Sequence, residues 1–127
     1  MKKLLVTFCA LALSSIAAFA GDYPDISIAE LKKAIADKTV IVIDVNGSDS
    51  YKSGHVPTAL NYADVKTNFS NVLPKDKDAL VVAYCGGPAC HAYTAAADAA
   101  TKLGYTNVKH LSAGISGWLK AHETVEK

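Results

Sequence analysis

From Asp25 onward, short apolar runs alternate with stretches that repeat their apolar residues at helical spacing, the pattern of an α/β domain with a mostly parallel sheet. Ser27-Ile28-Ala29-Glu30 has the form of a capping box and predicts a helix through about Ala36, with Leu31 and Ile35 on one face. Thr39 to Val45 follows as a strand. Its run Val40-Ile41-Val42-Ile43 is apolar on both faces, as a buried central parallel strand requires. Asn46 to Pro57 is polar and contains Gly and Ser, which predicts a connecting loop. Ala59 to Tyr62 reads as a short strand and Asp64 to Asn71 as a short helix. Leu80 to Tyr84 repeats the buried-strand pattern and runs into Cys85, where Gly86, Gly87 and Pro88 stop it. An Ala-rich helix is predicted from His91 to Leu103, with Gly104 as its left-handed C-cap. Val108 to Leu111 gives the last strand and Ser116 to Ala121 the last helix; Tyr105 and Trp118 are core candidates.

The first twenty residues follow another pattern. Met1-Lys2-Lys3, an apolar run from Leu4 to Leu13 and the small-residue site Ala18-Phe19-Ala20 predict a signal peptide over residues 1–20, cleaved before Gly21. The run is short for a membrane span, so no membrane association is expected after cleavage. The expected location is outside the cytoplasm: periplasmic in a Gram-negative source, secreted otherwise. Cys9 leaves with the peptide.

Residues 21–127 then form one domain of 107 residues, enough for a single core. Without Lys2 and Lys3 this segment has 11 cations and 12 carboxylates, a net charge of −1. That balance offers nothing to a polyanion, so a nucleic acid partner is not expected. Every cation is Lys, because the chain has no Arg.

Two cysteines remain, Cys85 and Cys90, and in an oxidising compartment a structural disulfide is the plainest role for them. A bridge over so short a loop adds only about 2 kcal/mol in the chain-entropy model. The setting of Cys85 suggests chemistry instead. A strand, a Gly-rich turn and a helix place it at the carboxyl edge of the sheet, where open α/β folds put their ligand sites. The backbone N–H groups of Gly86, Gly87, Ala89, Cys90 and His91 are candidates for an anion-binding nest, to which Pro88 cannot contribute. A free thiol titrates near about 8.5, so a sulfur nucleophile needs its thiolate stabilised. A favourable helix dipole supplies up to about 2 kcal/mol toward that.

Two further segments give the cysteine its context. Ile43-Asp44-Val45, followed by Tyr51-Lys52-Ser53-Gly54-His55-Val56-Pro57-Thr58-Ala59-Leu60-Asn61, resembles the first signature of rhodanese-like domains. Val81-Val82-Ala83-Tyr84-Cys85 with its loop is similar to the second, and Gly104-Tyr105 through Ala113-Gly114-Ile115-Ser116-Gly117-Trp118 to the family's ending. The resemblance implies a single rhodanese-like domain, with a five-stranded, mostly parallel sheet flanked by helices on both faces. It also implies a sulfurtransferase that carries sulfane sulfur as a persulfide on Cys85 and needs no cofactor or metal. Its partners would be a small sulfur donor and a thiol or other nucleophilic acceptor. Asp44 and His55 match signature positions and read as scaffold rather than as acid or base.

The departures from the family pattern are informative. The loop has Pro88 and Cys90 where relatives often have Gly and Arg, and Asn46 stands where Arg commonly follows Asp-Val. Without guanidinium groups, bidentate recognition of a dianion such as thiosulfate is weakened. His91, near the positive end of the expected helix, is a poor substitute. The same lack argues against the phosphatase and arsenate-reductase relatives of the fold. Cys90 is a candidate resolving or redox residue: it can attack a Cys85 persulfide or pair with Cys85 directly, which would call for a periplasmic redox partner. Other classes stay in view. The string Cys85 to Cys90-His91 is a stretched form of a c-type haem attachment motif, a zinc site lacks a second ligand pair, and a rhodanese-like module without Arg can serve as a silent binding unit.

Overall fold

The computed structural model describes residues 23–127; the expected signal peptide and Cys9 lie outside the described residues. The first helix or strand of the described residues is helix α1, Ile28–Ala36, which carries the full capping box: Glu30 N–H donates to Ser27 Oγ (3.1 Å) and Ser27 N–H to Glu30 Oε2 (3.2 Å). There follow β1 (Val40–Asp44), α2 (Ser48–Ser53), β2 (Leu60–Asn61) and α3 (Tyr62–Val65). A 3₁₀ turn at Lys66–Asn68 leads into α4 (Phe69–Val72), then come β3 (Leu80–Tyr84), α5 (Thr94–Lys102), β4 (Val108–His110) and α6 (Gly114–Lys120). The strands form one parallel sheet in the order β2-β1-β3-β4, with Ile43 opposite Ala83 and Ala83 opposite His110.

Alternation along the two central strands divides the core. Ile43, Val81, Ala83 and Cys85 face the layer of α4 and α5, against Phe69, Leu73 and the buried alanines Ala96, Ala97 and Ala100. Val42, Val82 and Tyr84 face the opposite layer, against Leu31 of α1 and Trp118 of α6. Both layers bury their strand faces, which is why these strands are apolar on successive residues. Tyr105 and Trp118 are both core residues.

Four expectations need correction. Among the described residues the sheet has four strands, not five; the fifth position, beyond β4, is a single parallel bridge at Asp25, where Ile26 N–H donates to His110 O and His110 N–H to Pro24 O, each at 2.9 Å. Asn46–Pro57 holds a helix, α2, none of whose residues is buried, so no apolar repeat marks it. The third departure is that α5 begins at Thr94 rather than His91, because Thr94, Ala95 and Ala96 N–H groups bond back three residues in a tight turn. Last, α6 begins two residues before Ser116, at Gly114, whose φ of +61° suits glycine.

The most buried polar cluster lies between β1 and β3. The Tyr84 hydroxyl donates to Asp44 Oδ2 (2.5 Å) and accepts from Val56 N–H (3.0 Å), while Asn46 N–H donates to Asp44 Oδ1 (2.8 Å). Asp44 and Tyr84 are both fully buried. Burial, and then the bond to the Asp44 carboxylate, push the Tyr84 phenol well above its ordinary value of 10.0. Tyr84→Phe strands a buried carboxylate oxygen and a buried amide, and is expected to lower the unfolding free energy by about 2–3 kcal/mol in urea titration. Because the folded-state value is raised, the wild-type advantage is full below pH 10.0 and narrows as pH rises above it, by up to about 1.4 kcal/mol per pH unit. Titrations from pH 7 to 11 on both proteins check this.

Candidate active site

Cys85 is the first residue beyond β3, and its direction is set by its neighbours on both sides. Before it, Tyr84 is fixed through Asp44 and Val56. After it, the chain is fastened to the start of α6: Ile115 N–H donates to Cys85 O and Ser116 N–H to Gly86 O, both at 3.0 Å. The approach of the two segments is close enough to need glycine. A Cβ on Gly114 would lie 2.5 Å from Gly87 N and 2.6 Å from Gly86 C, both backbone atoms. A Cβ on Gly87 would meet only Ser116 Oγ, at 2.9 Å. The Gly-Gly of the loop and the Ala113-Gly114 of the ending are therefore two halves of one contact.

Cys85 is 1% exposed and is disulfide-bonded to Cys90, with Cα atoms 6.3 Å apart, inside the range such bridges span. Pro88 and Ala89, at the tip of the loop, are exposed, and Cys90 is partly so. Cys90 N–H donates to Gly87 O (3.0 Å) and closes the turn, so of the five amides expected to surround the sulfur, this one is committed within the loop. Nor does the helix dipole act as expected, since the first turn of α5 lies at Thr94, beyond His91. His91 is exposed, and its carbonyl accepts from Thr94 N–H (3.1 Å) and Thr94 Oγ1 (2.8 Å).

Asp44 and the turn that carries His55 are linked through Tyr84, the residue before Cys85. Asp44 holds Tyr84 directly. His55, 4% exposed, stacks on Tyr51 with centroids 3.7 Å apart, its Nδ1 lies 2.8 Å from Tyr51 O, and its backbone pairs with Glu126. The next residue, Val56, supplies the amide that reaches Tyr84. Asn46, in the place of the family's Arg, lies against the loop, its Oδ1 3.8 Å from where a Gly86 Cβ would be. Its buried Nδ2 has no hydrogen-bond partner among the described residues.

Two side chains near the loop were not singled out in the sequence. Tyr93, at the start of α5, packs in the same core cluster as Cys85 and Cys90. His110 of β4, 8% exposed, stacks flat on it with centroids 3.4 Å apart. Burial, above all, lowers the affinity of His110 for a proton, with His91 adding to this and Asp25 opposing it. An aromatic residue eight positions after the strand-end cysteine is the only signal in the sequence. It does not distinguish a packing role from a contact with the site.

The architecture defines a parallel, doubly wound α/β domain with a cysteine-bearing loop at the carboxyl end of a central strand. A family model for the rhodanese-like domain matches residues 27–121, and the chain belongs to that family. The uncharacterized protein YibN of Escherichia coli is 30% identical over 92 residues, which are 70% of this chain and 62% of YibN, so the chain spans under two thirds of that relative's length. Among solved structures, the BH2092 protein of Bacillus halodurans is 33% identical, with a TM-score of 0.63 over 82% of this chain and 77% of its own. The thiosulfate sulfurtransferase of Pseudomonas aeruginosa shares the fold at 18% identity and TM-score 0.67, over 82% of this chain and 20% of that enzyme. The human single-domain sulfurtransferase TSTD1 shares it at 21% identity and TM-score 0.59, over 78% and 97%. The fold's relatives thus include sulfurtransferases.

Gly114→Ala is expected to cost about 2–4 kcal/mol of stability, because it combines a positive φ with a backbone clash. Gly87→Ala should cost less than about 1 kcal/mol, since the exposed Ser116 hydroxyl can rotate away. Thermal or urea unfolding of the two variants side by side measures the contrast.

Proposed function

We propose that this domain is a sulfurtransferase that carries sulfane sulfur as a persulfide on Cys85, with Cys90 as its redox partner. The observation that supports it above all is the placing of Cys85 at the carboxyl edge of β3, on a loop whose backbone is pinned to α6. In the reduced form, the Cys85 thiolate attacks the outer sulfur of a persulfide donor. The donor's sulfur–sulfur bond breaks, its thiolate leaves, and Cys85 holds the new persulfide. An acceptor thiolate then attacks the outer sulfur and Cys85 leaves as thiolate, so the cycle consumes no oxidant. The Cys85–Cys90 disulfide is the oxidised form, in which the carrier sulfur is occupied. A two-electron reductant must open it before sulfur can load.

The lack of Arg points to a persulfide rather than thiosulfate as donor. A charged, bidentate contact to an oxyanion contributes about 1.5–3 kcal/mol, so thiosulfate should react about 10–100-fold more slowly. Removal of a signal peptide places the activity outside the cytoplasm in this reading, where a thiol reductant would be the redox partner. One observation favours a second reading, a thiol–disulfide module without sulfur transfer: the disulfide itself.

Intact mass after mixing the reduced protein with a low-molecular-mass persulfide distinguishes the two. A gain of one sulfur atom, absent in Cys85→Ser and transferred on addition of a thiol acceptor, is the expected result. Failure of both thiosulfate and the persulfide to load Cys85 in the reduced protein would overturn the sulfurtransferase reading.

A further inference from the structure

We infer that the Cys85–Cys90 disulfide is opened at Cys90, by the thiolate of a dithiol reductant, with Cys85 released as the leaving thiolate. The inference rests on the reading of Cys85 as sulfur carrier for its purpose, and on the loop's geometry for its direction. Thiol–disulfide exchange is an in-line displacement: the attacking sulfur approaches the attacked one from the side opposite the leaving sulfur, so access to each far side decides which is struck. Cys85 is 1% exposed and belongs to the core cluster of Ile43, Ala83, Tyr93 and Ala96. Burial to that degree leaves an attacking sulfur no open approach to it. Cys90 is partly exposed and stands between the exposed Ala89 and His91.

The anchoring of the two backbones points the same way. Cys85 O and Gly86 O are held by the first amides of α6, whereas Cys90 is held at its amide by Gly87 O, within the loop itself. Cys90 can turn outward with the incoming sulfur while Cys85 stays at the strand end. The exposed residues beside Cys90 are Pro88, Ala89, His91 and Ala92, a rim without acidic or basic side chains other than one imidazole. That rim fits a dithiol whose own surroundings are uncharged and apolar.

The electrons balance in two exchanges. The first reductant thiolate bonds to Cys90 Sγ, the Cys85–Cys90 bond breaks and its electron pair leaves on Cys85. The second thiolate of the reductant then attacks the first, releasing Cys90 as thiolate and leaving the reductant as a disulfide. The domain gains two electrons and the dithiol loses two. Reversibility carries a corollary: displacement by Cys90 at Cys85 Sγ is the reverse of hydrosulfide attack on the covered sulfur. A persulfide on Cys85 is therefore handed to an external acceptor rather than resolved within the loop.

Glutathione serves as the probe, since a monothiol lacks a tethered second thiol and its mixed disulfide can be trapped by acid before a further exchange resolves it. The oxidised protein is mixed with glutathione, quenched with acid at successive short times, digested with pepsin at low pH and mapped by mass. At the earliest times glutathione is expected on Cys90 over Cys85 by at least about tenfold. Equal labelling, or an excess on Cys85, overturns the inference. So does alkylation of both cysteines in the protein before any reductant is added, because there is then no disulfide to open. Mapping to Cys90 combined with failure of the reduced protein to load sulfur would leave the inference standing and remove the sulfurtransferase reading.

Discussion

A single hydroxyl ties together three parts of the chain that are far apart in sequence. Tyr84 ends β3, donates to Asp44 at the end of β1 and accepts from Val56 in the turn after α2. A buried carboxylate is costly unless its oxygens are bonded, and here one oxygen takes the phenol and the other the Asn46 amide. The three segments must therefore be in register with one another for the cluster to be tolerated. Cys85 follows Tyr84 directly, so this cluster fixes the backbone that carries the sulfur, and the core packing of the Cys85 side chain adds to it. Asp44 and the His55 turn act on the site through Tyr84, which both of them hold.

On the other side of Cys85 the constraint is steric. Gly86 and Gly87 lie so close to Gly114 that a methyl group on Gly114 would overlap backbone atoms. Two N–H groups of α6 then reach the carbonyls of Cys85 and Gly86. Between the cluster and this contact, the strand end has little freedom, while the outer part of the loop through Pro88 and Ala89 is exposed. One cysteine of the disulfide is thus set in the rigid part and its partner in the adjustable part, a division of labour suited to a pair that must separate and rejoin.

The central strands and the Ala-rich helix were legible in the sequence because their patterns report burial directly. Val40–Ile43 and Leu80–Tyr84 are apolar on consecutive residues, and Ser27 with Glu30 states a helix start in four letters. The strand-end cysteine was legible for the same reason, since Gly-Gly-Pro cannot prolong a strand. What escaped was structure that leaves no periodic trace. Helix α2 buries none of its residues, and the edge bridge at Asp25 is one residue long. The start of α5 was set too early because His91 and Ala92 are unobjectionable in a helix, yet they form a turn. Contacts made across the sheet, such as Tyr93 on His110, depend on strand order, which a local pattern does not contain. The cysteine pairing was one of several roles open to Cys90, and only the folded loop brings the two Cα atoms to 6.3 Å.

The sheet is also blunt at both margins. Among the described residues, β2 on one side has two residues, and on the other β4 is met only by the bridge at Asp25, with Pro24 just before it. Open parallel sheets expose rows of unpaired amides and carbonyls at their margins, where foreign strands can add and chains can stick to one another. A margin two residues long offers such a strand too few bonds to hold it, and a proline donates none. The abbreviated bridge that removes a strand from the count thus doubles as protection against unwanted self-assembly.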